Sequence, residues 1–398
     1  MTPEKRTSDS ADDVRAIELH AKYQGKIEVG LRAPLDTKDD LSLAYSPGVA
    51  AASREIEANP ARLRDLTVAG RAIAVVTDGS AVLGLGNIGP EAAMPVMEGK
   101  AGLFRRFAGL DAWPICLDAD GPDEIVDAVR AIAPGFAGIN LEDIAAPICF
   151  EVEDRLQDLG IPVMHDDQHG TAIVLLAALM GAAKLKGREL TDLRVVIAGA
   201  GAAGTAIAKL LRCVGFDENL CEPAKEVIVC DSVGAIHRDR PNLSAEKRAL
   251  LGYTNHAGRT GTVKEVLEGA DVFIGVSRGG LLVADDIRRM APNPILFPMA
   301  NPTPEIHPDE AKAAGAIVVG TGRSDYPNQV NNVLAFPGLF RGALEARAKR
   351  FTNSMKFAAA RALAEAVGEP TPERVLPGPF DAGVAEAVAK AVAAEWKR

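Results

Sequence analysis

The sequence lacks the features that commonly identify nucleic-acid-binding and membrane proteins. Acidic residues outnumber basic ones by 54 to 44, which gives the 398-residue chain a net charge of −10. Such a chain offers no broad basic face to nucleic acid or anionic lipid. Its longest apolar stretch, residues 171–183, is too short to span a bilayer, so we expect a buried helix there. A small anionic substrate would then depend on local cations, such as a lysine or a bound metal ion.

Cysteine is also scarce, and its spacing excludes the common zinc and redox motifs. The five cysteines contain no Cys-x-x-Cys pair and no spacing typical of zinc ligands. An odd, scattered set is typical of reduced thiols. The polar, acid-containing stretch 1–13 is unlike a signal peptide, and we expect it to be frayed. These features predict a cytoplasmic protein with reduced cysteines.

Short β-branched segments alternate with segments of helical periodicity along the chain, which predicts α/β layers. The 47% of hydrophobic residues suffice for a sizeable core, and the length suits about two or three domains. The predicted strands are 71–77, 113–117, 138–141, 161–164, 193–198, 226–230, 272–275, 295–299 and 317–320. The main predicted helices are 14–23, 123–132, 147–159, 171–185 and 205–214, with an alanine-rich helical tail from 343 that is broken near 368–370.

Gly199, Gly201 and Gly204 form a Gly-x-Gly-x-x-Gly motif between a predicted strand and an apolar helix. That context is the one a dinucleotide-binding turn requires. Gly199 permits the tight turn, Gly201 lets the backbone approach a pyrophosphate, and Gly204 lets the helix pack on the strand. The motif therefore predicts a nucleotide cofactor, and we consider a glycine-rich turn that binds nothing the weaker interpretation.

Asp231 ends the strand that follows this turn, where an acid can bond a ribose 2′-hydroxyl. It lies 27 residues beyond Gly204, and an insertion around 216–225 explains why the spacing exceeds the usual value of about 20. The acid favours NAD. Arg238 and Arg240 lie nearby in the sequence and would suit the 2′-phosphate of NADP, so the preference between the two cofactors stays open.

Two acidic pairs, Glu142-Asp143 and Asp166-Asp167, follow the predicted strands 138–141 and 161–164. Adjacent carboxylates repel one another, and a hard divalent cation such as Mg²⁺ or Mn²⁺ offsets that repulsion best. The carboxyl ends of strands in an open α/β sheet line the crevice where ligands bind. The pairs therefore predict a metal site, although each acid alone could serve as a helix cap. His165 and His169 flank the second pair and suit a hard cation less well.

Several segments of the sequence are long enough to be compared with the motifs of a known protein family. They are 43–50 (LAYSPGVA), 77–79 (TDG), 84–89 (GLGNIG), 94–100 (MPVMEGK), 140–143 (NLED), 165–171 (HDDQHGT), 300–304 (ANPTP), 322–329 (GRSDYPNQ), 331–332 (NN) and 336–338 (FPG). In these segments the chain resembles the malic enzyme family, specifically its short bacterial form, over about residues 14–365. The resemblance implies oxidative decarboxylation of (S)-malate to pyruvate and CO₂, with NAD or NADP and Mg²⁺ or Mn²⁺, in a homodimer or tetramer.

The resemblance also implies roles for individual residues. Tyr45 matches the acid that protonates the enol carbon, and Lys100 matches the lysine that removes the hydroxyl proton and serves the tyrosine's proton relay. Asp166 matches an acid beside the metal, as base or orienting group. The implied metal ligands are Glu142, Asp143 and Asp167. The implied cofactor-binding residues are Thr171, Gly199, Gly201, Ala202, Ala203, Gly204, Asp231 and Asn301. The implied substrate contacts are Lys100, Asn301, Asn331 and Asn332.

Two features of the chemistry remain open at this stage. Free lysine titrates near pH 10, so Lys100 can act as a base only if its pKa is lowered, for which we expect a nearby metal ion. Long forms of the family hold a malate carboxylate with an arginine where this chain has Ser80-Ala81. Lys100, the asparagines or a partner subunit would have to replace that contact.

The fold expected is α/β with two domains and a cleft between them. We assign residues 1–160 to an N-terminal α/β catalytic domain and 161–398 to a Rossmann-type NAD(P)-binding domain with a C-terminal helical tail. A malolactic enzyme, which makes lactate and retains NAD, is the close alternative to a malic enzyme. A catalytically inactive nucleotide-binding homologue is a second alternative, which the intact Tyr45 and Lys100 oppose. An amino-acid dehydrogenase would have no role for the acidic pairs.

Overall fold

The computed structural model describes residues 11–82, 84–216 and 221–397, with the side chain of Ala11 excepted. Most of the predicted frayed end, and residues 217–220 of the insertion after the glycine turn, lie outside the described residues. Residues 11–13 are helical, so the first helix begins three residues before its predicted start. The predicted α/β fold is confirmed.

Two parallel sheets organise the described residues. The first has the order β2-β1-β3-β4 and the second the order β6-β5-β7-β8-β9. The strands are β1 Ala72–Thr77, β2 Asp111–Cys116, β3 Gly138–Leu141, β4 Val163–His165, β5 Arg194–Ala198, β6 Glu226–Cys230, β7 Val272–Gly275, β8 Ile295–Pro298 and β9 Val318–Val319. The boundary near residue 160 stays a prediction, and the strand just beyond it, β4, pairs with β3 in the first sheet.

Helices cover both sheets, as the near-continuous apolar strands require. They are α1 Ala11–Tyr23, α2 Lys38–Ala44, α3 Val49–Ala58, α4 Leu63–Leu66, α5 Gly89–Leu103, α6 Pro122–Ile132, α7 Ile148–Arg155, α8 Asp166–Lys186, α9 Ala202–Leu211, α10 Ala245–Leu250, α11 Val263–Val266, α12 Ala284–Arg288, α13 Pro308–Ala313, α14 Phe336–Glu345, α15 Asn353–Ala366 and α16 Val384–Trp396. The helical tail packs back on the body: α14 and α15 contact α16, and α15 also contacts α8.

Helix α8 is the central helix of the molecule and begins five residues before its predicted start. Its first turn holds the acidic pair Asp166-Asp167, and its last turn holds Lys184 and Lys186, which suits the helix dipole at both ends. Gly187, in a left-handed conformation, ends it. The whole 21-residue helix, unlike the predicted stretch 171–183, meets the length and composition expected of a membrane span. It is mostly buried between α9 and α15, as the prediction of a core helix requires.

The N-terminal segment, residues 12–58, contrasts with this core because none of its residues is buried. Helices α1, α2 and α3 nevertheless carry large apolar side chains, and Ile17, Tyr23 and Leu43 are each more than half exposed. Isolated helices of this length are marginal in water, so helical stability normally needs a packed apolar face. We refer to residues 12–58 as the arm.

Cysteine pairing departs from the prediction. Cys213 and Cys221 form a disulfide that closes the loop after α9, so the expectation that all cysteines are reduced is wrong for this pair. Cys116, Cys149 and Cys230 are free. Spacing alone did not reveal the bond, because a sequence separation of eight matches none of the motif spacings considered. The cytoplasmic location stays a prediction.

Candidate active site

The carboxyl ends of β3 and β4 meet at one edge of the first sheet, and both acidic pairs lie there. Leu141 of β3 pairs with His165 of β4, so Glu142 and Asp166 follow neighbouring strands at the same level. Asp143 adopts a left-handed backbone conformation, with φ 53°, and this turns the chain directly after Glu142. Asp166 and Asp167 occupy the first turn of α8, directly after β4.

Lys100, from α5, reaches into this cluster and is only 6% exposed. Its Nζ lies 2.7 Å from Glu142 Oε1 and 2.5 Å from Asp166 Oδ2. The ammonium also lies 4.2 Å from the centre of the Phe336 ring. Asn332 donates from Nδ2 to the same Asp166 oxygen at 2.5 Å. The structure thus brings together three residues that were predicted to act on substrate, from both halves of the chain.

Glu142, Asp143 and Asp167 each offer one carboxylate oxygen to a common point, and these oxygens lie within 4.8 Å of one another. The backbone N–H of Asp143 donates to Asp167 Oδ2 at 2.9 Å, which holds the two acids together. Asp143 Oδ2 is buried without a hydrogen-bond partner among the described residues. An oxygen-only set with an unpartnered buried carboxylate fits a hard divalent cation. The three predicted metal ligands are therefore adjacent.

The charges of this cluster do not balance. Burial raises the pKa of Glu142 to about 7, although the Lys100 charge opposes the shift. Burial and the charge of Asp167 raise the pKa of Asp143 to about 8, and burial raises the pKa of Asp166 to about 7. The cluster holds more negative charge than one lysine offsets, so a further cation would be stabilised there.

Lys100 itself is held as an ammonium. Burial lowers its pKa, but the charges of Asp166 and Glu142 outweigh burial, so its pKa is above the ordinary range. We expected a nearby metal ion to lower the pKa of Lys100, but the protein side chains by themselves raise it. A lowered pKa would require a cation that draws the carboxylates away from the lysine.

Of the two histidines beside the acidic pair, His169 makes local hydrogen bonds, whereas both ring nitrogens of His165 are buried without a hydrogen-bond partner among the described residues. His169 Nε2 lies 2.9 Å from Glu153 Oε1, and Lys356 Nζ lies 3.1 Å from His169 Nδ1. His165 is buried between the two strands of the site, and burial lowers its pKa to about 4. Neither histidine belongs to the group of three acids that could hold a metal ion.

At each glycine of the turn, the backbone conformation or the surrounding space suits the role predicted for that glycine. Gly199 adopts φ 127°, and a Cβ there would lie 2.5 Å from the Val276 carbonyl oxygen. A Cβ on Gly204 would lie 1.9 Å from the Gly199 carbonyl oxygen, so only glycine lets α9 approach the turn. Around Gly201 the space is open. Ala202 and Ala203 begin α9, whose N-terminus suits a phosphate group.

Asp231 lies at the end of β6, as predicted, and is paired with two cations. Arg240 Nη2 donates to Asp231 Oδ2 at 2.6 Å, and Lys247 Nζ donates to the same oxygen at 2.7 Å. These bonds outweigh the effect of burial and hold the pKa of Asp231 well below its usual range. Arg240 was considered from the sequence and Lys247 was not, since it comes from α10, 16 residues away.

The remaining predicted cofactor and substrate residues are less closely grouped. Asn301 follows β8, and a Cβ on Gly322 would lie 3.0 Å from its Nδ2 atom. Asn331 caps the short helix 332–334 by accepting from Val333 N–H, so part of its side chain is engaged locally. Thr171 lies one turn beyond the acidic pair on α8 and is partly exposed. Their roles stay predictions.

Tyr45 is the one predicted catalytic residue that the chain leaves apart from the others. It lies at the end of α2 in the arm and is 68% exposed. Within the described residues its hydroxyl makes no hydrogen bond, and Lys100 is bonded to carboxylates instead. The local sequence thus predicted the residue but not its distance from the cluster.

Several residues that support the site were missed from the sequence. Asn140 donates from Nδ2 to Glu142 Oε2 at 2.8 Å, and an asparagine inside an apolar strand is the signal that could have found it. Ser80 donates to Asp78 Oδ1 and accepts from Ala145 N–H, so it ties the loop after β1 to the loop that holds the first acidic pair. Glu305 is fully buried and accepts from Ser277 N–H and Ala300 N–H, which joins the ends of β7 and β8.

Comparison with known proteins assigns most of the chain to two domain families. The malic enzyme N-terminal domain matches residues 24–157, and the malic enzyme NAD-binding domain matches residues 168–396. A bifunctional malic/malolactic enzyme of Bacillus subtilis (strain 168) is 53% identical over 382 residues, 95% of this chain and 91% of that protein. An NADP-dependent malic enzyme of Halomonas elongata is 46% identical over 95% of this chain and 92% of its own length.

The fold has a close counterpart among solved structures. The NAD-dependent malic enzyme of Thermotoga maritima superposes with a TM-score of 0.90 at 45% identity, over 95% of this chain and 98% of that one. The chain belongs to the malic enzyme family and is an oxidoreductase of the NAD(P)-dependent type.

Proposed function

We propose that this enzyme catalyses the divalent-metal-dependent oxidative decarboxylation of (S)-malate to pyruvate and CO₂, with reduction of NAD or NADP. The observation that carries the proposal is the position of Lys100, bonded to Glu142 and Asp166 beside three acids that converge within 4.8 Å. In an ion pair with a purely structural role, the positive and negative charges would be equal in number. This cluster instead has an excess of buried negative charge and an unpartnered carboxylate oxygen, which is the arrangement a metal-dependent site requires.

The side chains of the cluster supply the proton transfers of this reaction. Glu142, Asp143 and Asp167 would hold a divalent metal ion, which would polarise the substrate oxygens, and the nicotinamide of a bound cofactor would serve as the hydride acceptor for malate C2. Burial raises the pKa of Asp166 to about 7, and its Oδ1, which has no hydrogen-bond partner among the described residues, is suited to accept a proton while Oδ2 accepts from Lys100. Asn332 fixes the orientation of that carboxylate.

The later proton transfer needs an acid that the isolated chain does not bring to Lys100. Loss of CO₂ leaves an enolate that must be protonated on carbon, and Tyr45 is the residue that the family resemblance suggests. Lys100, held as an ammonium, would return a proton to the tyrosine. Ser80 is engaged by Asp78 and Ala145, so we assign the substrate carboxylate to Lys100 and the amides of Asn301, Asn331 and Asn332.

We infer that the arm packs on a second copy of the chain in a homodimer. Its exposed apolar side chains need a covering surface, and Tyr45 belongs to the same segment. The arm then carries Tyr45 to the Lys100 of the partner, so each site is completed by two chains. A mixture of Tyr45→Phe and Lys100→Ala proteins, refolded together, would regain about a quarter of wild-type activity under random pairing of a twofold dimer. No recovery in mixtures shown to contain mixed dimers would contradict the shared site.

The function is tested by assaying malate with Mn²⁺ and either NAD or NADP, and by measuring pyruvate, lactate and the reduced cofactor. We expect pyruvate and free NADH or NADPH in equal amounts, and loss of turnover after treatment with a chelator. Undiminished turnover without metal would contradict the proposal. A Lys100→Ala protein that still binds NAD but makes neither product serves as the matched control.

A malolactic activity is the second candidate, favoured by the name of the B. subtilis relative, which describes both reactions. The two reactions share the oxidation and the loss of CO₂, and they differ in whether pyruvate is then reduced by the cofactor formed. Lactate without accumulation of free NADH would identify the malolactic reaction. A protein that binds nucleotide but converts malate to neither product would be the inactive homologue.

A further inference from the structure

Helix α8, which carries Asp166 and Asp167 in its first turn, begins without a side-chain cap. His165 is its N-cap residue, and the His165 side chain makes no capping hydrogen bond with any residue that the structure describes. The bonds that Asp166 makes, to Lys100 and Asn332, lie inside the cluster that a metal ion and the substrate would occupy. A support for the first turn that persists during the reaction must therefore come from outside this cluster.

Glu153 of α7 supplies such a support. Its carboxylate accepts from the backbone N–H of His165 at 3.2 Å and from Gln168 Nε2 at 3.1 Å, and it lies 3.0 Å from His169 Nε2. These partners stand on both sides of the acidic pair, so one carboxylate fixes the chain before and after it. The side chain of Glu153 is mostly buried, which strengthens these bonds, and a negative charge beside a helix N-terminus is favoured by the helix dipole.

The charges around Glu153 balance, unlike those of the acidic cluster. His169 has the Glu153 carboxylate at Nε2, and Lys356 Nζ lies 3.1 Å from Nδ1 and 3.3 Å from Nε2. Because a carboxylate accepts and an ammonium donates, these partners favour the ring tautomer that carries its proton on Nε2. Glu153 and Lys356 then contribute one charge of each sign, joined by a neutral ring. Such a network requires no additional cation, and it links α7, α8 and α15.

We infer that Glu153 is a positioning residue for the metal site. It holds the first turn of α8 so that Asp167 stays beside Asp143, whose backbone N–H donates to Asp167 Oδ2, and Asp166 stays beside Lys100. Glu153 is not one of the three acids that could hold a metal ion, so it acts through α8. The inference rests on the proposed function, because it concerns the ion that this function requires.

Glu153→Gln in the full-length protein tests this role. The variant keeps the shape of the side chain, but only one acceptor oxygen remains, and its amide nitrogen faces a donor on the other side. We expect Mn²⁺ binding, titrated by electron paramagnetic resonance, to weaken roughly tenfold or more, and kcat to fall with it. The affinity for NAD should not change, because the glycine turn lies in the other sheet. Glu151→Gln, on the same helix and paired with Arg155, is the matched control and should bind Mn²⁺ as the wild type does.

A merely structural role for Glu153 predicts a different result. It would lower the Tm of Glu153→Gln, and at temperatures well below that Tm the Mn²⁺ affinity and the resonance spectrum of the bound ion would match those of the wild type. Equal Mn²⁺ affinity in wild type and Glu153→Gln would overturn the positioning role alone. A wild type that binds no Mn²⁺ would overturn the proposed function, and this inference with it.

Variants of His169 decide the question if Glu153→Gln fails to fold, since His169 is partly exposed and tolerates change more readily. His169→Gln keeps a donor for Glu153 and an acceptor for Lys356, whereas His169→Phe keeps neither. We expect His169→Phe to bind Mn²⁺ roughly fivefold more weakly than His169→Gln. Equal Mn²⁺ affinity in these two variants would overturn the role of the network.

Discussion

Two acidic sites occupy the same topological position, the carboxyl ends of parallel strands, and their charge balances are opposite. Beyond β3 and β4, four carboxyl groups surround the single ammonium of Lys100. Beyond β6, the single carboxylate of Asp231 is bonded to Arg240 and Lys247. The first site attracts a cation, and the second has positive charge available for a phosphate.

The pKa values follow this difference. Burial raises the pKa of Asp143 to about 8. Asp231 is bonded to Arg240 and Lys247, and these two cations hold its pKa well below the usual range. Position at a strand end therefore decides that a residue faces the crevice, and side chains from other elements decide its charge state. The metal-type site and the nucleotide-type site differ in their number of acids and in the cations that reach them, from α5 in the first and from α10 and the loop before it in the second.

The largest effect is expected from Lys100→Ala, which removes the cation bonded to Glu142 and Asp166. Loss of a positioned acid–base group should lower kcat roughly 10²- to 10⁴-fold. NAD binding should change little, because the glycine turn lies in the other sheet. Steady-state kinetics and NAD titration measure the two effects. Lys184→Ala, an exposed lysine on α8, is the control, and wild-type turnover in Lys100→Ala would contradict the role of this residue.

Asp143→Asn tests the cation side of the comparison. Losing one of three convergent carboxylates should weaken Mn²⁺ binding roughly a hundredfold or more, measured by titration followed by electron paramagnetic resonance. Asp158→Asn, an exposed acid paired with Arg130, should bind Mn²⁺ as the wild type does. Equal Mn²⁺ affinity in the Asp143 variant would show that the ion is held elsewhere.

Lys247→Ala tests the anion side. Removing a cation bonded to Asp231 should raise the KM for NADP about tenfold, because a charge-assisted contact to the 2′-phosphate is lost. The KM for NAD should change less, since its ribose hydroxyls carry no charge. Lys264→Ala, whose lysine pairs with Asp286 in the same domain, is the control. A parallel change in both KM values would mean that Lys247 does not distinguish the cofactors.

The smallest effect concerns stability and pH in metal-free protein. Glu142, Asp143 and Asp166 have raised pKa values, so the folded state binds more protons than the unfolded state up to about pH 8. Their contribution is present at low pH and is lost as the pH rises through 7 to 8. His165 has a lowered pKa and acts in the opposite direction, but only below about pH 6.5.

Between pH 6.5 and 8 we therefore expect the Tm of chelator-treated protein to fall by several degrees, as calorimetry would record. Added Mn²⁺ should raise Tm more at pH 8 than at pH 6.5, since the ion competes with protons for the same oxygens. Asp143→Asn should show a shallower fall. A Tm that rises over this range without metal would contradict the assignment of raised pKa values.

Local pattern predicted much of the fold. The strands at 226–230 and 272–275 coincide with β6 and β7 at both ends, because β-branched runs bounded by turn residues leave little choice. The start of α8 was missed because residues 166–170 show no apolar periodicity. They are helical because contacts with Lys100, Asn332 and Glu153 satisfy their side chains. Such tertiary contacts override local preference.

The sequence by itself determined which chemical groups are present and where they lie locally: two acidic pairs at strand ends and a glycine turn at the start of a helix. These are local features, set by neighbouring residues and by backbone conformations that only glycine tolerates. Only the tertiary structure decided that Lys100, 66 residues before Asp166, and Asn332, 166 residues after it, bond to the same carboxylate oxygen. It also decided that Tyr45 remains exposed on the arm. The reason is that charge balance in a buried site depends on groups brought together by the pairing of distant strands and the packing of their helices, which no local pattern encodes.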